Sequence, residues 1–186
     1  LNLKVSRLSM RRLTAGSLSA IVLFALGGCS GDDPTGPTLT IGSASEVPPT
    51  AQVVAFDVVD EVTVEISGIR ERRRDVITDQ AEWEALWDEI QTFVAPKPPA
   101  PAIDFGSRMV IFASMGERTS GGHTIAVLEA AQEDGSLYVV VEEATPGIQC
   151  MTTDVVTTPA VAVSVPRTSG TVLFVNREIA YPCAPM

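Results

Sequence analysis

The stretch Asp104–Val127, DFGSRMVIFASMGERTSGGHTIAV, decides how the rest of the chain is read. Met109–Ala113 is apolar at consecutive positions. A half-wet strand alternates apolar and polar residues, and this run does not, so it predicts a strand buried on both faces. Gly116 and the Gly121-Gly122 pair permit backbone shapes that other residues avoid. Met115–His123 therefore reads as an exposed polar connection, and Ile125–Leu128 as the next buried strand.

A strand covered on both sides needs partners, and the flanking sequence supplies them. Upstream, Asp79-Gln80-Ala81-Glu82 fits a capping box at the start of a helix running to Gln91. Trp83, Leu86, Trp87 and Ile90 form one apolar stripe along it, with Glu84, Asp88 and Glu89 off the stripe. Both tryptophans are read as core anchors of this helix on a sheet. Pro96, Pro98, Pro99 and Pro101 then force an extended segment. Val62, Val64 and Ile66 alternate with polar residues as a half-buried strand, and Arg70–Arg74 reads as a solvated, charged strand edge, with a docking patch for an acidic partner as its functional alternative. Downstream, Asp134-Gly135 predicts a type I′ hairpin turn into Leu137–Val141, and Pro146-Gly147 another turn. Val155-Val156 and Val161–Val165 read as a strand pair around Pro159, and Val172–Val175 as the last strand. The expected fold is α+β and mostly β: an antiparallel sheet of about eight short strands with one packed amphipathic helix.

The N-terminus reads differently. Arg11 and Arg12 precede the uncharged apolar run Leu13–Leu26, which ends at Leu26-Gly27-Gly28-Cys29. A basic start, a short apolar core and a small-residue exit describe a secretory signal peptide. Cleavage before a cysteine is similar to a bacterial lipoprotein signal, which implies lipid on Cys29 and anchoring of the protein to a membrane. The expected organisation is a signal peptide over 1–28, lipidated Cys29 and a flexible Pro/Gly/Ser/Thr-rich linker over 29–50, and a globular domain over 51–186. Ser30 after the cysteine points to the outer membrane of a bacterial envelope.

Lys4, Arg7, Arg11 and Arg12, four of the 13 cationic side chains, leave with the signal, and none of the 23 acidic ones does. The formal charge moves from −10 to −14, which argues against nucleic acid as a partner. With Cys29 lipidated, Cys150 and Cys183 remain as a pair in an oxidising compartment and are expected to form a disulfide.

Catalytic patterns are sparse. His123 is the one histidine, and a hydrolytic triad would use it with Ser120 or Ser114, yet there is no Gly-x-Ser-x-Gly elbow in the sequence. One histidine and two distant cysteines do not make a zinc site, and neither a calcium loop nor a phosphate-cradling glycine loop is present. No cofactor is expected, and the balance is against an enzyme.

The order Trp83-x-x-Leu86-Trp87, Pro101-x-x-Asp104-Phe105, Met109-Val110, Gly116-x-Arg118-x-x-Gly121-Gly122, Pro146-Gly147, Thr157-x-Pro159 and Val165-Pro166 resembles the C-terminal domain of the PrcB family. The resemblance spans about residues 76–176. These are bacterial envelope proteins named for a lipoprotein subunit of a secreted protease complex. Where the family pattern has a tyrosine after the double glycine, this sequence has His123. The resemblance carries no catalytic residues; it implies a non-catalytic, lipid-anchored envelope module that binds or stabilises a partner protein, with a protease as one candidate. Arg118, Thr119, Ser120 and His123 in the glycine connection are the expected contact residues. The alternative is a cell-surface module for a small ligand, a glycan or calcium.

Overall fold

The computed structural model describes residues 39–183 apart from Thr63. The expected signal peptide, Cys29 and the start of the linker lie outside the described residues. Among the described residues there are nine strands and one α-helix. In sequence order they are β1 (Thr40–Ala44), β2 (Gln52–Val53), β3 (Asp57–Val58), β4 (Arg72–Ile77), α1 (Gln80–Ile90), β5 (Arg108–Met115), β6 (Thr124–Glu133), β7 (Ser136–Pro146), β8 (Ala160–Pro166) and β9 (Thr171–Tyr181).

The strands form two sheets rather than the single one expected. One has the order β3-β8-β5-β4 and is antiparallel throughout. The other has the order β1-β9-β7-β6-β2 and is mixed, because β9 runs parallel to both β7 and β1. Parallel neighbours require a crossover; here the backbone leaves β7, contributes β8 to the opposite sheet and returns as β9. The fold remains α+β and mostly β.

The consecutive apolar residues of β5 explain the layering. Met109, Ile111, Ala113 and Met115 face the second sheet and pack with Ile125, Val127, Leu137, Val139, Val141 and Phe174. Val110 and Phe112 point the other way, into a second core made by the α1 stripe Trp83, Leu86, Trp87 and Ile90. β5 is thus in the middle of three layers. The cap of α1 is as read: Asp79 Oδ1 accepts from the Glu82 N–H at 2.9 Å. Each tryptophan donates its indole N–H to the proline-rich segment, Trp83 to the Pro101 carbonyl at 2.9 Å and Trp87 to the Pro98 carbonyl at 2.8 Å. The prolines keep that segment extended, so its carbonyls stay free to accept.

The hairpin between β6 and β7 turns at Asp134 (φ 48°) and Gly135 (φ 77°), the two positive φ values of a type I′ turn. A register shift between Val127 and Glu129 bulges out Leu128, which keeps Ala130 on the core face after Ile125 and Val127.

Three further expectations are corrected. Val62–Ile66 is no continuous strand: Asp60–Val62 is a short 3-10 turn, followed by isolated bridges from Val64 to Ala160 and Ile66 to Thr158. The turn buries Val62 completely and leaves Ile66 exposed, so the alternation does not mark one wet face. Val155-Val156 is an exposed loop, since the strand partner it would need is already occupied by β5 and β3 on either side of β8. Within the expected linker, Thr40–Ala44 is β1, paired residue for residue with Thr171–Val175. Backbone pairing to a sheet edge holds it, and a composition poor in large apolar residues gives no sign of that.

Candidate functional site

Gly116–His123 leaves β5 and returns to β6, but it is not a free loop. The Arg118 N–H donates to the Thr157 carbonyl at 2.8 Å, and the Arg118 carbonyl accepts from the Thr157 N–H at 2.9 Å. The Gly121 N–H donates to the Thr153 carbonyl, and Thr157 Oγ1 to the Ser120 carbonyl. Tyr181 at the end of β9 donates its hydroxyl to the Gly122 carbonyl at 2.6 Å. Gly122 has φ 85°, and a Cβ there would meet the Tyr181 hydroxyl at 2.9 Å, so glycine is required both by conformation and by space. The Cys150–Cys183 disulfide ties the facing loop, between β7 and β8, to the end of β9.

This lacing separates the four expected contact residues. Thr119 is exposed, while Arg118, Ser120 and His123 are half-buried. Ser120 Oγ and His123 Nε2 lie 3.3 Å apart. His123 Nδ1 is buried with no hydrogen-bond partner among the described residues, so the carboxylate that orients a catalytic imidazole is not in place there. Burial and then the Arg118 charge push the His123 pKa below its ordinary value. Among the described residues no three of His, Cys, Asp and Glu gather to hold a metal ion, and no helix is long and apolar enough to cross a membrane.

Arg118 belongs to a different neighbourhood. It lines a cleft of about 180 Å³ between the β4–β5 and β7–β9 layers, together with Arg72, Met115, Glu143, Thr145 and Glu178. Sequence reading did not find this cluster. The basic run alternates along β4: Arg73 turns to the helix layer, pairing with Asp75 and Glu89, whereas Arg72 and Arg74 turn to the second sheet. The Glu143 side chain is only 5% exposed, and its Oε1 accepts from Arg72 Nε at 2.8 Å and from Arg74. Arg74 also donates to Asn176 at 2.9 Å, and Arg72 reaches Glu178 at 3.2 Å. Burial pushes the Glu143 carboxyl up, but hydrogen bonds from Arg72 and Arg74 outweigh it and hold it below its ordinary value. The run is the charged edge strand expected, with Arg70 and Arg72 exposed, but Arg72 and Arg74 also clamp the two sheets through Glu143. Spacing by two in a strand was the available signal, since it places Arg72 and Arg74 on one face.

A second feature adjoins the loop. Phe93, Ile66 and Val156 are exposed large apolar side chains around a cleft of about 310 Å³, rimmed by Arg70 and Glu117. Ile148, Met151 and Val155 in the facing loop are exposed as well.

These elements define a two-sheet sandwich with a helix on its back and a disulfide-tied loop pair at one end. Residues 109–166, from β5 to β8 and including Gly116–His123, match the family model described as PrcB C-terminal. That match supports the PrcB C-terminal resemblance for this part of the sequence. No curated protein matches it, and no solved structure does.

Proposed function

We propose that this is a lipid-anchored, non-catalytic protein of the bacterial cell envelope that binds or stabilises a partner protein, and that the partner is a protease. The observation that carries the reading is the loop pair 116–123 and 147–157. It lies within the PrcB C-terminal match, is held by backbone hydrogen bonds and a disulfide, and presents Ile148, Met151, Val155 and Val156 to solvent. Clustered exposed apolar side chains mark interaction surfaces, and a pre-ordered surface loses less entropy on binding. The unoriented Ser120–His123 pair fits a binding role better than a hydrolytic one. Anchoring rests on the lipoprotein-like sequence that ends at Cys29, with the outer membrane as its site.

The test is capture of the full-length protein, crosslinked in its own cells, with co-purifying polypeptides identified by mass. A stoichiometric protease is the expected result, and loss of membrane attachment in Cys29→Ala accompanies it. Recovery of the protein alone under crosslinking overturns the partner reading.

A further inference from the structure

The cleft lined by Arg72, Arg118 and Glu143 has an unusual charge balance for so acidic a protein. Three guanidinium groups, from Arg72, Arg74 and Arg118, lie within 4.0 Å of the single buried carboxylate of Glu143. Among the described residues the only other acid of that cluster is Glu178, whose side chain is 72% exposed. Three cations therefore face two anions, in a sequence of formal charge −10. Arg74 is consumed, because its donors go to Glu143, Asn176, and the Arg73 and Ser114 carbonyls. Arg118 is not. Its Nη2 stands 3.8 Å from Glu143 Oε2, beyond hydrogen-bond length, and among the described residues its guanidinium donates only to its neighbour's carbonyl, Glu117 O, at 3.2 Å. Its side chain is 31% exposed and lines the cleft together with Arg72, which is 44% exposed. The guanidinium fork has five donors and matches a carboxylate bidentately. Glu178 already demonstrates the chemistry, since it sets a carboxylate on Arg72 from the solvent side.

We propose that this cleft is a carboxylate-binding site, in which Arg118 and Arg72 receive one acidic group of the partner protein. The inference rests on the partner reading above and specifies the chemistry by which the partner is held. The acidic group is an Asp or Glu side chain or a terminal α-carboxylate; both offer the same two oxygens. Glu143 is a positioning residue. It holds Arg72 Nε from beneath, while Arg72 Nη2 donates to the exposed Glu178, which the incoming carboxylate displaces as it also takes the donors of Arg118.

The site is tested without a partner by titrating the full-length protein with N-acetylalanine, which carries a free α-carboxylate, and with N-acetylaspartate α-methylamide, which carries only a side-chain one. The readout is the side-chain Nε–H resonances of Arg72 and Arg118 at constant ionic strength. Saturable shifts with affinity on the order of millimolar are expected from a single charged group, and the tighter probe identifies the source of the carboxylate. Arg118→Gln should weaken binding about tenfold, because a hydrogen-bonded charge is lost. Arg177→Gln, an exposed arginine paired with Glu142 outside the cleft, should leave it unchanged. Absence of saturable shifts in the parent protein overturns the site. If Arg118→Gln folds and loses the probe but still captures the partner at parental yield, the site's role in holding the partner is overturned. Failure of the parent protein to capture any partner is a separate result; it removes the partner reading while the titration still decides the cleft.

Discussion

Glu143 is the residue on which the two sheets are pinned together. Its carboxylate accepts from Arg72 and Arg74 on β4, and the Arg74 side chain is only 12% exposed, so neither charge of that pair is screened by much water. Glu143→Gln removes the charge while keeping the volume. It should destabilise the fold by about 1–3 kcal/mol, the cost of leaving buried polar partners unsatisfied, measured by the denaturant midpoint at neutral pH. The same residue predicts a pH dependence. The folded pKa of Glu143 lies below its ordinary value of 4.5, so the unfolded state takes up its proton first as the pH falls. Its contribution is complete above that ordinary value and is lost as the pH drops through it toward the folded value. Denaturant midpoints recorded from about pH 6 to about pH 3 should fall less steeply in Glu143→Gln than in the parent; equal slopes would exclude this role.

At the scale of elements, the helix and the proline-rich segment are one unit. α1 seats its stripe on Val110 and Phe112, and both indole N–H groups are satisfied by carbonyls of the segment that follows. Trp83 is fully buried. Trp83→Ala should cost ~3–5 kcal/mol, combining lost apolar burial with a cavity, and thermal unfolding would measure it. An unchanged midpoint would mean that the segment closes over the gap. The stripe, the cap and the prolines are all legible in the sequence because each is a local pattern. Their mutual hydrogen bonding is not, since spacing along a helix does not say which carbonyl an indole will meet.

For the whole molecule, the disulfide closes the end of β9 onto the loop after β7, with a sequence separation of 33. Reduction releases a loop whose closure entropy is worth roughly 3–4 kcal/mol. Thermal unfolding with and without reductant should show that loss. Two free thiols in oxidised protein, found by alkylation and mass measurement, would sink it. The β7–β9 pairing that the bridge reinforces is parallel and depends on β8 being placed in the opposite sheet.

Residues within a few positions of one another suffice to establish a doubly buried β5, a capped amphipathic helix, a type I′ hairpin and a glycine connection, whereas pairing Cys150 with Cys183 requires setting Cys29 aside as lipidated. Local physics is enough for each of the first four. Only the folded arrangement settles that the strands divide between two sheets, that β1 joins β9, and that Arg72, Arg74, Arg118, Glu143 and Glu178 meet. No short-range pattern encodes those meetings, because they join residues that the stacking of layers alone brings together. The alternation of Arg72 and Arg74 assigns them a common face, and which sheet that face meets is a property of the folded whole.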